Sequence, residues 1–179
     1  IDRLNDYPLT DGEMQQILEQ IKNLRTPLKL NGFINGKSVS VIRDNPKVAK
    51  HIHLPMQSGN SRILELMNRH TTREKFISLL EKMKKEIPDL TLSTDVIVGF
   101  PSETEEEYLE TLSMMEIMNC TEAFMYYFNP REGTRAEKME GQIEEGVKIK
   151  RLERLINEQI ERQKRIKSAA LPFDAVGIV

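Results

Sequence analysis

The chain has 179 residues, 39% hydrophobic and 30% charged, with 26 basic and 28 acidic side chains and a formal net charge of -2. That balance is ordinary for a domain with a buried core and excludes fibrous and wholly disordered classes. It also excludes a surface that attracts polyanions everywhere, while leaving room for a local basic patch.

In chain order, Thr10-Asp-Gly-Glu13 has the form of a capping box, and Met14, Ile17, Leu18 and Ile21 follow at helical spacing until Pro27 stops the helix. Residues 28–42, LKLNGFINGKSVSVI, admit two readings. One is a strand, an Asn-Gly turn and a second strand; the other is a loop leading to a short helix over Val39 to Arg43. From residue 50 the pattern becomes regular. HIHLPM at 51–56 alternates as a strand, and Asn60 caps a helix carrying Ile63, Leu64 and Met67. Thr71-Thr-Arg-Glu74 opens a helix with the stripe Phe76, Leu80, Met83 and Ile87, which Pro88 ends. A strand over 90–98 precedes an acidic-fronted helix capped at Ser102-Glu-Thr-Glu105, running to about Met118 and burying Tyr108, Leu112 and Met115. Glu122 to Phe128 is a further strand. A helix over about 144–167 follows, where Glu158–Arg162 and Glu161–Arg165 are spaced as ion pairs on a solvated face. The nine methionines sit mostly at helical spacing with Leu and Ile, as core fillers do.

Strands separated by helices predict the α/β class: parallel strands joined by right-handed crossovers and covered by helices, as in a partial, TIM-like (β/α) barrel or an open sheet. No stretch approaches the run of about 18 apolar residues that spans a bilayer, and IDRLNDYPLT lacks the features of a secretion signal, so the expected compartment is the cytoplasm, with no membrane partner. Cys120 is the only cysteine and cannot by itself hold zinc or an iron-sulfur cluster.

Two neighbouring strands each carry one polar face. On the first, His51, His53, Pro55 and Gln57 oppose Ile52, Leu54 and Met56; on the second, Ser93, Asp95, Ile97 and Gly99 oppose Leu92, Thr94, Val96 and Val98. Buried parallel strands are normally apolar on both faces, so the polar faces predict a lining around a polar ligand, or else one layer of a hydrogen-bonded core. Sites of parallel sheets lie beyond the carboxyl ends of the strands, where Gln57-Ser58-Gly59-Asn60, the Gly99–Glu103 segment and the Asn129–Thr134 segment fall on one rim. Gly99 leaves room for a ligand ring against the backbone, unless Gly-Phe-Pro is only a turn. Arg131 is a candidate for an anion such as phosphate; pairing with Glu132 is the alternative.

With those residues in view, the chain from about Asn45 to Gln163 resembles the radical-SAM methylthiotransferases, most closely the MiaB-type tRNA-modifying branch. The strings that carry the resemblance are NPKVAKHIHLPMQSGNSRILELMNR, TREKF, STDVIVGFPSETEEEY and FNPREGTRAEKM. It implies a partial (β/α) barrel in which a reduced 4Fe-4S cluster cleaves S-adenosylmethionine, the resulting radical attacks a tRNA adenine bearing an isopentenyl group, and a methylthio group is placed on C2. It further implies Gln57, Ser58 and Asp95 as polar cofactor contacts, Gly99 near the adenine, His53 pointing into the lumen, and Arg131 at the substrate-facing rim. The family's CxxxCxxC triad is absent from this sequence, so no cluster is expected on this chain. Ser102 stands where the family usually has Gly and Asn129 where Ser is common, and Ser102 is expected to serve as a helix cap instead. The resemblance divides the chain into a poorly matching segment 1–44, the second half of a radical-SAM barrel over 45–167, and a tail 168–179 that is at most the start of a TRAM RNA-binding domain. The expectation is therefore a fragment, inactive alone, whose unpaired sheet edge invites self-association. The alternatives are a methylthiotransferase acting on a ribosomal protein or another tRNA adenosine, and, in a different class, a cluster-free nucleotide- or RNA-binding module.

Overall fold

The structure is a computed structural model that describes Gly12, residues 28–31 and residues 36–170. A parallel four-stranded sheet has the order β1 (Leu28–Asn31), β2 (Val48–His53), β3 (Thr91–Val98), β4 (Glu122–Tyr127). The crossovers carry α1 (Gly36–Asp44), then α2 (Ser61–Leu66) and α3 (Arg73–Glu86), then α4 (Glu105–Met118). After β4 a 3-10 turn at Ala136–Lys138 leads into the long α5 (Glu145–Ala170). The result is the expected α/β partial barrel of parallel strands under helices.

Residues 28–42 combine parts of both readings: the strand forms but pairs parallel to β2, and the second half is helix, so the antiparallel hairpin is absent. The helix expected over Thr10 to Ile21 lies outside the described residues. The core is continuous between one sheet face and the helices, with Ile52, Leu54, Met56, Leu92, Val96 and Val98 packed against Leu80, Met83, Leu112 and Met115. Apolar periods of two on the strands and 3.6 on the helices meet there, as amphipathic burial requires. Met56, Met83, Met114, Met115 and Met118 are all buried in it.

The caps fall slightly later than their sequence signals. Asn60 does accept a hydrogen bond from the Ile63 N–H at 3.0 Å. The cap of α3 is Thr72 rather than Thr71. In α4 it is Thr104, whose hydroxyl accepts from the Glu107 N–H at 3.3 Å while Glu107 Oε2 accepts from the Thr104 N–H at 2.8 Å. This reciprocal box satisfies two otherwise orphaned donors, so Ser102 does not cap the helix as expected. Ser102 instead adopts φ 63°, a left-handed conformation costing an L-residue roughly 1–2 kcal/mol. A glycine, the residue the family resemblance leads one to expect there, would adopt it without that cost.

The turn after β2 is tied to α4. Thr111 Oγ1 accepts from the Gly59 N–H at 3.0 Å, and the Arg73 guanidinium donates to the carbonyls of Gly59 and Glu110 at 2.9 and 2.8 Å. A Cβ at Gly59 would stand 2.6 Å from both the Glu110 carbonyl oxygen and Thr111 Cα. Gly59→Ala must therefore push α4 away from the turn, and a loss of about 1–3 kcal/mol in urea unfolding is expected from overpacking of this kind. An unchanged urea midpoint would show that the turn and α4 are not in such close contact.

Candidate functional site

β2 and β3 pair with His51 opposite Thr91 and His53 opposite Ser93, which brings their polar faces side by side. His51 Nδ1 is hydrogen-bonded to Thr91 Oγ1 at 2.9 Å, and Ser93 Oγ lies 3.0 Å from both His51 Nε2 and His53 Nδ1. His53 Nε2 lies 3.3 Å from Asp95 Oδ2. The row ends in a carboxylate that remains 32% exposed, beside Phe124, whose ring meets the His53 ring edge-on at 6.1 Å. This face is open: Phe124 and Tyr126 are 50% and 55% exposed.

Past β2 the chain continues along β3. The Gln57 N–H donates to the Asp95 carbonyl at 2.8 Å and the Ile97 N–H to the Gln57 carbonyl at 2.9 Å. Thr94, buried between the strands, accepts from the Met56 N–H and donates to the Leu54 carbonyl, replacing the ladder where it breaks. Gln57 then turns at φ 68°. Its side chain is largely buried, has no hydrogen-bond partner among the described residues, and lines a cleft of about 470 Å³ at the carboxyl rim. Leu66, Met67, Ile97, Phe100, Phe128 and Met139 supply apolar wall, and Arg69 and Arg135 supply charge. Phe100 and Phe128 meet edge to face, with ring centroids 5.0 Å apart.

That rim is fastened from behind by α5. Glu103, fully enclosed, accepts from the Gly99 N–H at 2.7 Å and from Arg151 Nη1 at 2.8 Å. Burial raises the Glu103 pKa above the ordinary carboxylate value, while the Gly99 amide and Arg151 pull it back. Its second oxygen, Oε1, is buried without a partner. Lys148 lays its stem where a Cβ on Gly99 would lie and donates from Nζ to the Phe128 carbonyl at 3.2 Å. α5 thus holds the exits of β3 and β4, which carry Phe100 and Phe128.

The expected site residues separate into groups. His53, Asp95 and Gln57 lie on the inner face and at its rim. Ser58 is buried against α4 and does not line the cleft, its hydroxyl accepting from the Asn60 N–H at 3.2 Å and lying 3.4 Å from Thr111 Oγ1. Gly99 has φ 72°, and the space left by its missing side chain is taken by Lys148. Arg131 is exposed, and no ion pair with Glu132 forms among the described residues. The pairs expected on α5 are replaced by others: Arg162, 1% exposed, and Arg165 both turn to Glu116, while Arg154 binds Glu158. Sequence reasoning missed the clamp of Glu103, Lys148 and Arg151, and also the cleft wall at residues 66–69 and 135–139.

Residues 5–115 match the family model described as the radical SAM superfamily. The chain belongs to that superfamily. The radical-SAM match begins well upstream of Asn45, inside the segment expected to match poorly. The chain is 45% identical over 133 residues to the tRNA-2-methylthio-N(6)-dimethylallyladenosine synthase of Acetivibrio thermocellus, covering 74% of this chain and 28% of that protein. The likeness to the synthase of the same name from Caldicellulosiruptor saccharolyticus is 40% over 144 residues, covering 80% and 31%. For that of Clostridium beijerinckii it is 50% over 118 residues, covering 66% and 26%. The chain thus spans less than a third of the length of these curated relatives. No helix among the described residues is long and apolar enough to cross a membrane.

Removing one partner of a buried ion pair leaves an uncompensated charge, at a cost of about 3–5 kcal/mol. Arg151→Met should lose an amount of that order at neutral pH, and adding Glu103→Gln should restore part of it. The penalty exists only while Glu103 is ionised in the folded chain. Without Arg151 the Glu103 pKa rises further, so the loss relative to the wild type is full only above that higher value and vanishes as the pH falls below the already raised wild-type value. Urea unfolding of both variants across acidic to neutral pH checks this; a loss below about 1 kcal/mol at pH 7 would mean that the pair does not anchor α5.

Proposed function

We propose that this chain provides the S-adenosylmethionine-gripping part of the barrel of a tRNA methylthiotransferase, which adds a methylthio group to C2 of N6-isopentenyladenosine in tRNA. The observation that carries the cofactor reading is the unpartnered Gln57 amide, lining a rim cleft at the end of the row that leads to Asp95. An amide presents both donors and acceptors, and a partly exposed carboxylate accepts only, a set suited to the amino and hydroxyl groups of a nucleoside-like molecule. The names of the relatives support the tRNA branch over the ribosomal-protein branch.

In this reading Gln57 and Asp95 bind the polar parts of the cofactor, and His53, held by Ser93, orients Asp95. Ile97, Phe100 and Phe128 form the apolar wall for the adenine, and Gly99, covered by the Lys148 stem, holds the turn beside that wall. Ser58 shapes the turn that presents Gln57, and Arg131 faces the tRNA. When bound, the cofactor supplies the radical chemistry for which the superfamily is named. The residues of this chain do not fit an iron-sulfur cluster: Cys120 is the single cysteine, it is buried, and burial pushes its pKa up to about 12. The cytoplasm, where tRNA resides, is the compartment this reading assigns.

Calorimetric titration with S-adenosylhomocysteine tests the cofactor site. Gln57→Ala and Asp95→Asn should each weaken binding at least about tenfold, about 1.4 kcal/mol. Affinity that is the same in both variants as in the wild type, or a wild-type chain that does not bind, would remove the reading. The open inner face bearing Phe124 and Tyr126, together with the sheet edge, further predicts self-association, visible as a rise in sedimentation coefficient with protein concentration. A constant monomeric value would show that face and edge to be covered.

A further inference from the structure

The polar row across β2 and β3 has a direction as well as a length. In order, its members are Thr91, His51, Ser93, His53 and Asp95. An ionised carboxylate only accepts, a neutral imidazole has one donating and one accepting nitrogen, and a hydroxyl has a single proton to give. Those counts orient every bond. His53 Nε2 must carry a proton to bond Asp95 Oδ2 at 3.3 Å, so a neutral His53 presents Nδ1 as an acceptor and the Ser93 hydroxyl gives its proton there. With that proton spent, Ser93 Oγ accepts from the His51 Nε2–H, and His51 Nδ1 in turn accepts from Thr91.

Thr91 stands at the branch. Its hydroxyl lies 2.9 Å from His51 Nδ1 and 3.0 Å from the Lys50 carbonyl, and can donate to only one of them. Were it to give that proton to Lys50, one contact of the row would set two acceptors against each other, unless a ring took up a second proton. Two facing acceptors forfeit a hydrogen bond in a partly buried place, so the neutral row runs one way, from Thr91 to Asp95. At its end only Oδ2 is engaged: Asp95 Oδ1 has no hydrogen-bond partner among the described residues.

We propose that Thr91, His51 and Ser93 are positioning residues for Asp95: they hold the row in one polarity, with both rings protonated at Nε2, so that His53 clamps Oδ2 and Oδ1 stays a fixed acceptor for the donor groups of a ligand. An acceptor fixed in advance costs less ordering when the ligand arrives, and each bond of such a chain polarises the next. The purpose of the row rests on the proposed cofactor role of Asp95; its polarity does not.

Ring-nitrogen NMR of the chain with isotope-labelled histidine, at about pH 8 and so above the ordinary imidazole range, reads the tautomers, with exposed His70 as the reference. His51 and His53, assigned through His51→Gln and His53→Gln, should each show the Nε2–H form alone. Thr91→Val, an exposed change, should leave His51 exchanging between tautomers, and Thr91→Ser should restore the wild-type signal. Asp95→Ala removes the acceptor that sets the polarity and should move the His51 signal as well as that of His53, a coupling that separate local bonds would not transmit. Thr121→Val, which removes a hydroxyl bonded to the Leu92 carbonyl at 3.0 Å on the same sheet, should move neither ring. In calorimetric titration with S-adenosylhomocysteine, Thr91→Val and Ser93→Ala should each weaken binding about three- to tenfold and Thr121→Val should not. Thr91→Val alone carries that comparison if buried Ser93→Ala does not fold. A wild-type ring of the row bearing two protons or protonated at Nδ1, a His51 signal unmoved by Asp95→Ala, or unchanged affinity in Thr91→Val would overturn the proposal. The expected ring signals in a chain that does not bind S-adenosylhomocysteine would sustain the positioning of Asp95 while the cofactor reading alone fails.

Discussion

The carboxylate of Glu103 has no access to water, and much of the rim is arranged around that fact. It closes the turn after β3 by accepting from the Gly99 amide, and it draws Arg151, itself almost buried, down from α5. Once Arg151 is fixed, Lys148 one turn earlier lies over Gly99 and reaches the Phe128 carbonyl. Tyr108 of α4 donates to the Arg151 carbonyl at 2.9 Å, which brings the preceding crossover helix into the same junction. Desolvation of both charges offsets most of their attraction, so such a pair adds little net stability compared with an apolar replacement. Its effect is geometric: the exits of β3 and β4 cannot move independently of α5, and the cleft wall formed by Phe100 and Phe128 inherits that rigidity.

The second constraint is the polar face of a parallel sheet. Burying His51, His53, Ser93 and Asp95 against aliphatic groups would cost a desolvation penalty for each unpaired atom. The register of β2 and β3 avoids this by placing the groups opposite and diagonal to one another, so that each ring nitrogen of His51 and His53 has a partner. The row is satisfied internally until it reaches Asp95 and Gln57, where capacity for hydrogen bonding is left over. The apolar side chains on the same face, Phe124 and Tyr126, are left half exposed. A face of satisfied polar groups ending in unsatisfied ones, next to aromatic surface, is what a bound nucleoside-like molecule would complete.

Alternation made the two strands and their polar faces legible, because a period of two assigns each side chain to a face without knowledge of the fold. Helix starts were less legible. Ser102 and Thr104 both fit a cap by residue type and both have a glutamate three positions later, but Glu105 turns to Arg151 whereas Glu107 returns to the cap, so Thr104 caps the helix. α5 was misread for a different reason. Its inward stripe runs through Lys148, Arg151, Leu155, Gln159 and Arg162 at helical spacing, but it is mostly polar, so a search for apolar periodicity sees a solvated face. Those side chains are buried because partners far along the chain await them: Glu103, Glu116, and the Cys120 carbonyl for Gln159. The cleft walls escaped for the same reason, since residues 66–69, 100, 128 and 135–139 converge only in space.

The donor chemistry of the chain also bears on what part of a radical-SAM reaction it serves. Its one thiol is enclosed beneath α5, with its backbone carbonyl held by Gln159 and its ionisation disfavoured by burial, which makes it a packing group. The groups that do reach the inner face and rim are an amide, a carboxylate, imidazoles and guanidiniums, all suited to organic ligands and phosphates. The histidine row and Asp95 stand on the strands themselves, with Gln57 just past β2, whereas Arg69 and Arg135 stand on the connections at the rim.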